Sequence, residues 1–206
     1  MELFISALPY EVAYPELAPA RLAMRSLCLR AWEKLGLQPR LLPEDYNWPD
    51  PKSSQAGEFF TRQWQRSRRI LPEAHAHHDF YLSTSDDVMP DVTTFDVAKA
   101  RAIMEAHPQF AILACWPLNE TINRWTPNNY EVFEDDDVME HYSVGTISFI
   151  RKGAMLDWPK MGEGRGYDSI QCEYLRSHGW RVGLLKNMGC VHLGKGFSTV
   201  TPCSPS

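Results

Sequence analysis

Phe80-Tyr81-Leu82-Ser83-Thr84-Ser85-Asp86-Asp87-Val88-Met89-Pro90 is an apolar run that stops on two adjacent carboxylates. It reads as a buried strand, and a strand tip of this kind delivers anionic side chains into the crevice where open α/β sheets bind ligands. Carboxylates there suit Mg²⁺ or Mn²⁺ bridged to a phosphorylated substrate. A strand followed by an Asp-rich turn is the plainer reading of the same residues.

Working outward from that run, elements of both periodicities alternate. Leu3 to Ala7 reads as a first buried strand, followed by a loop carrying Pro9, Tyr10 and Pro15. Met24, Leu27, Cys28, Ala31 and Leu35 recur at helical spacing, which predicts a helix from about Pro19 to Leu35 stopped by Gly36. Arg40-Leu41-Leu42 predicts a second strand, parallel to the first by the right-handed crossover rule. The Pro-, Asp- and Ser-rich stretch Glu44 to Gln55 reads as a loop before a helix from about Gly57 to Leu71, on which Arg62, Arg66 and Arg69 share one face. A helix over Thr94 to His107 then leads into a buried strand, Phe110 to Trp116.

The second half departs from this alternation. Pro117 to Tyr142 reads as an excursion of limited regular structure, and Val144 to Ile150 as a return to β-structure. The Gly162-Glu163-Gly164-Arg165-Gly166 loop opens into a helix from Asp168 to His178, closed by Gly179. Trp180 to Leu185 and Cys190 to His192 finish the sheet as two strands, and the Ser/Thr/Pro-rich tail from Ser198 reads as loose. The expected class is α/β: a Rossmann-like, mixed and mostly parallel central sheet flanked by helices, in one domain over residues 1–197 with a flexible tail at 198–206.

Composition narrows the function classes. Charged residues are 23% and apolar residues 44% of 206, the balance of an ordinary globular protein, and no apolar run approaches a membrane span. The N-terminus has no basic region or cleavage site of a signal peptide. Five cysteines, scattered without CxxC spacing, read as reduced core thiols and a cytoplasmic location. A net charge of −5 argues against a protein held by nonspecific attraction to phosphate backbones. His75-Ala76-His77-His78 lacks the spacing of a zinc site, and Glu134-Asp135-Asp136-Asp137 lacks the alternating ligands and Gly of a calcium loop; both read as polar loops.

Three motifs in this order resemble the GT-A glycosyltransferases, in particular the large inverting family that uses nucleotide-diphosphate sugars, over nearly the whole span Leu3 to His192. Ser85-Asp86-Asp87-Val88-Met89-Pro90 resembles the family's acidic strand-end motif, with Ser85 where the first acid is usual. The resemblance implies that Asp87 is the direct ligand of Mn²⁺ or Mg²⁺ and that Asp86 turns toward the donor. Gly166-Tyr167-Asp168 at a helix start resembles the place where the family keeps Glu-Asp, which implies Asp168 as general base, with Tyr167 in place of the Glu. An Asp there also suits a helix N-terminus on capping grounds alone.

Gly189-Cys190-Val191-His192-Leu193-Gly194 is similar to the late strand that ends in a further metal ligand, here His192. The same resemblance implies a nucleotide-diphosphate sugar as donor, bound by Ser6, Ala7 and Tyr10 after the first strand, Asp45 or else Glu44 after the second, and Arg62 and Arg66 on the basic helix face, which also reads as a solvated face. It implies an acceptor hydroxyl on a saccharide, or on a hydroxymethylated DNA base, met by Pro117 to Tyr142, the Gly162 to Gly166 loop, and Trp116, Trp125 and Trp158. Two rivals stand beside this reading. A nucleotidyltransferase needs a glycine-rich basic loop after the first strand, which Ser6-Ala7-Leu8-Pro9-Tyr10 is not. A noncatalytic sugar-nucleotide-binding module fits the replacement of acids by Ser85 and Tyr167.

Overall fold

Alternation of apolar residues to opposite faces of extended backbone explains the layers of this chain. The computed structural model describes residues 3–6, 16–42, 79–154 and 167–194. Leu3 and Ile5 of β1 (Leu3–Ser6) and Phe80 and Leu82 of β3 (Phe80–Ser85) point to one face. There they pack with Trp32 of helix α1 (Ala18–Lys34) and with Ala100, Ile103 and Met104 of α2 (Val97–Ala106). Phe4 and Tyr81 point to the other face, against Cys172 and Leu175 of α3 (Tyr167–Ser177). With both faces covered, the strands read as continuous apolar runs.

The remaining strands are β2 (Arg40–Leu42), β4 (Val88–Pro90), β5 (Phe110–Pro117), β6 (Val138–Glu140), β7 (Ser148–Arg151) and β8 (Arg181–His192). The sheet order is β2-β1-β3-β7-β5-β8-β4, with β6 also paired to β8. β1 is parallel to β2 and β3, β7 is antiparallel to both β3 and β5, and β5 is parallel to β8. Five of the eight strands among the described residues therefore run one way, and the class is the mixed, mostly parallel α/β sheet that the sequence predicts.

Local signals account for the helix ends. α1 and α3 stop in the same motif: Gly36 and Gly179 adopt positive φ, and the next residue closes the turn, Leu37 N–H on Trp32 O at 3.0 Å and Trp180 N–H on Leu175 O at 3.0 Å. Asp96 begins α2 by accepting from Ala98 N–H at 2.8 Å and Lys99 N–H at 3.0 Å. The strands differ from expectation in several respects: Val88–Pro90 and Val138–Glu140 are additional strands, and the return expected over Val144 to Ile150 is Ser148–Arg151. What the sequence divides into two strands, Trp180–Leu185 and Cys190–His192, is one β8 with an irregularity, because Cys115 pairs with Leu185 but Trp116 pairs with Gly189. The three residues in between, Lys186 to Met188, form a bulge that bends the strand. The predicted helix over 57–71, the loop at 44–55, the histidine run at 75–78 and the tail at 198–206 lie outside the described residues.

Glycine at position 183 is required by packing. A Cβ there would meet the Met139 carbonyl oxygen and Phe110 Cε1, each at 2.9 Å, between β6 and β5. Gly183→Ala is expected to cost about 1–3 kcal/mol by overpacking, read as a lower urea midpoint with an unchanged m-value.

Candidate active site

Two residues, Asp86 and Asp87, join β3 to β4, yet β4 pairs with β8 and not with β3. β8 lies three places from β3 in the sheet order, about 14 Å away in a flat sheet. The link from Ser85 to Val88 reaches at most about 10 Å. The sheet must therefore curl so that the tip of β8, still paired with the end of β5, meets the end of β3. That curl sets His192 beside Asp87: Val88 is the register partner of His192, and Leu193 N–H donates to Asp87 O at 2.8 Å.

The Asp87 carboxylate is held from four sides. Oδ1 accepts from Ser85 Oγ at 2.6 Å, and Oδ2 accepts from Arg21 Nη1 at 2.9 Å and lies 3.5 Å from His192 Nε2. Its Oδ2 also presses on the backbone of Gly194, where a Cβ would come within 1.9 Å. Burial pushes this carboxyl up, but His192, Ser85 and the charge of Arg21 outweigh it and hold the group at about 2. Asp86, 3% exposed, accepts from Arg25 Nε at 2.7 Å. Arg21 and Arg25 are one helical turn apart on α1, so a single helix face neutralises both acids. Ser85, expected as a lost acid, is a donor to Asp87.

Asp168 reaches the same edge by a different route. β7 begins where β3 ends, with Ser148 opposite Ser83, so Gly145, three residues earlier, lies past the carboxyl ends of the parallel strands. The Asp168 carboxylate sits on that glycine: a Cβ at Gly145 would meet Oδ2 at 2.1 Å. Burial pushes Asp168 up to about 6, and the charge of His192 opposes the shift. His192 is raised by Asp87, against burial, with Glu120 adding to the rise. Two carboxyl groups on one edge thus have their proton affinities driven in opposite directions.

The remaining expectations divide. The end of β1 falls beside the acidic turn, with Ser6 in register with Ser85. Ala7, Tyr10, Asp45, Arg62, Arg66, Trp158 and the loop Gly162 to Gly166 lie outside the described residues. Within the excursion, Trp125 packs on Tyr130 and Tyr142, and Arg176 of α3 stacks over Trp125 and Tyr142. The acidic cluster is an anchored turn: Asp135 accepts from Asp137 N–H and Val138 N–H, and Glu134 pairs with Arg124 and Lys186. Sequence reasoning missed Arg21, Arg25, Asn119 and Glu120. The i,i+4 arginine pair on α1 was a visible signal; for Asn119 and Glu120 there was none.

The donor set suits a divalent cation. An Asp87 oxygen and His192 Nε2 face each other at 3.5 Å, a separation that two ligands of one ion adopt, and a carboxylate has lone pairs beyond those given to Ser85 and Arg21. Among the described residues no three His, Cys, Asp or Glu side chains are grouped to hold a metal, so an ion here would complete its shell with water and substrate oxygens, as Mg²⁺ commonly does.

The sequence matches no family model and no curated protein. Among solved structures, A197 from STIV has a TM-score of 0.52 at 14% identity, covering 93% of this chain and 85% of that one. S. aureus TarS 1-349 in complex with UDP-GlcNAc has a TM-score of 0.43 at 15% identity, over 92% of this chain and 58% of that one. A glycosyltransferase involved in the glycosylation of the major capsid of PBCV-1 has a TM-score of 0.38 at 11% identity, over 75% and 62%. The likeness to A197, at 14% identity, is one of fold.

Arg21 is 4% exposed, so Arg21→Met would leave a buried carboxylate short of its cation. The expected loss is about 3 kcal/mol at pH 7, measured by urea denaturation. Because the folded-state value of Asp87 is depressed, its stabilisation is present above the ordinary 3.8 and lost as pH falls through about 2. The deficit of the variant should shrink over that acid range.

Proposed function

We propose that this chain is an inverting glycosyltransferase, transferring a sugar from a nucleotide-diphosphate donor to an acceptor hydroxyl. One observation carries the reading: Asp87 and His192 face each other at 3.5 Å on the sheet edge where Asp168, with its value raised to about 6, also lies. An open α/β sheet binds its ligand at that edge. In this reading the acceptor O–H attacks the anomeric carbon from the face opposite the diphosphate. Asp168 takes the proton as the new C–O bond forms, and the bond to the diphosphate oxygen breaks with its electron pair leaving on the nucleoside diphosphate. Asp87 and His192 would hold Mn²⁺ or Mg²⁺, which when bound would neutralise the charge growing on that leaving group. Arg21 and Arg25 pair with Asp87 and Asp86 and fix both carboxylates in place.

The donor site belongs to the β1 end and the acidic turn. The acceptor belongs to the excursion after β5; a saccharide hydroxyl is the general expectation and a hydroxymethylated DNA base the narrower one. Among the described residues no helix is long and apolar enough to cross a membrane. Cys28, Cys115, Cys172 and Cys190 are buried free thiols, which suits a reducing compartment such as the cytoplasm. One observation favours a noncatalytic sugar-nucleotide-binding module: Arg21 and Arg25 already neutralise both acids of the strand-end motif. A panel of labelled sugar nucleotides, with and without Mn²⁺, separates the two, since transfer or hydrolysis favours the enzyme and binding without turnover the module.

Asp168→Asn should lower kcat by about 100- to 10,000-fold while donor affinity, followed by calorimetry, stays near that of the parent. A base must be deprotonated to act, so turnover of the parent should fall as pH drops below about 6, and that acid limb should vanish from the residual activity of the variant. Normal turnover by the Asn variant would remove the base assignment.

A further inference from the structure

The backbone ladder between β5 and β8 ends with Leu118 N–H donating to Cys190 O at 2.8 Å. One residue later a side chain continues it. Asn119 Nδ2 donates to His192 O at 2.9 Å, and Asn119 Oδ1 accepts from His192 N–H at 3.0 Å, so one amide group closes both backbone bonds of His192 as a paired strand would. The next residue grips the ring: Glu120 Oε1 lies 3.2 Å from His192 Nδ1, opposite the edge that faces Asp87. Two consecutive residues after β5 thus fix the backbone of His192 and the far side of its imidazole.

We propose that Asn119 and Glu120 are positioning residues that aim His192 Nε2 at a divalent cation, an inference that rests on the reading of Asp87 and His192 as its protein ligands. A carboxylate at Nδ1 keeps the ring proton there, leaves the Nε2 lone pair free for the metal and makes it a better donor. Without Glu120, Nδ1 loses the partner that holds it and the ring is free to turn Nε2 away from Asp87. Asn119 supplies the other requirement, because a ring can aim only as well as its backbone is held.

The test is Mn²⁺ binding followed by the paramagnetic resonance of free Mn²⁺, with saturating UDP present, in the full-length parent, Glu120→Gln, Glu120→Asp and His192→Ala. Glu120→Gln keeps the size of the side chain and removes its charge; Mn²⁺ affinity should fall about 10- to 100-fold, with the thermal midpoint of the metal-free protein close to that of the parent. Glu120→Asp, which keeps the charge but retracts it, should fall between, and it carries the comparison if the Gln variant does not fold. Parent-like Mn²⁺ affinity in the Glu120 variants, while His192→Ala loses it, would overturn the positioning role and leave the cation reading standing. Absence of Mn²⁺ binding to the parent, or undiminished binding by His192→Ala, would overturn both.

Discussion

The shape of this molecule's functional edge depends on a mismatch between a short link and a wide sheet. Two residues carry the chain from β3 to β4, and β4 finds its partner on a strand three places away. A flat sheet cannot satisfy both. The bulge at Lys186 to Met188 resolves the conflict by bending β8, and the bend lays His192, Leu193 and Gly194 on top of the acidic turn. With Gly194 against one carboxylate and Gly145 against another, backbone without side chains lets both acids sit close to the main chain.

Electrostatics then separates acids of the same kind. Asp87 is almost buried but receives a hydroxyl, a guanidinium and an imidazole, so its charged form is favoured. Asp168 experiences burial first, and the charge of His192 compensates only in part, so its neutral form persists to about pH 6. In the glycosyltransferase reading, this opposed pair would divide charge stabilisation from proton transfer. Arg21 and Arg25 matter here as structure before they matter as chemistry. Burying two adjacent carboxylates without them would be costly, and their placement on one face of α1 ties that helix to the acidic turn.

The segment from β5 to β7, which includes β6, joins the two halves of the edge. At its start, Asn119 and Glu120 hold the tip of β8. Further along, Trp125 and Tyr142 take Arg176 of α3 against their rings, and Val144 N–H reaches Cys172 Sγ on the same helix. His141, bridging to Ser143 O at 2.8 Å and Asn123 O at 3.0 Å, pins the loop to itself. One irregular segment therefore braces both the helix that carries Asp168 and the strand that carries His192.

Much of the fold was legible in the sequence because it is encoded locally. The apolar runs of β1, β3 and β5 state that both faces are covered, and Gly36 and Gly179 mark helix ends that are made within a few residues of each glycine. Asp87 stood out for the same reason, as an acid at the tip of a readable strand, whereas Asp168 and His192 were singled out by the resemblance. The curl of β8, the pairing of β4 with it, and the grip of Arg21, Arg25, Asn119 and Glu120 were decided by tertiary structure alone. The side-chain grips join residues from 61 positions apart, for Arg25 and Asp86, to 73, for Asn119 and His192, the β4–β8 pairing spans more still, and no local preference records a partner at that distance.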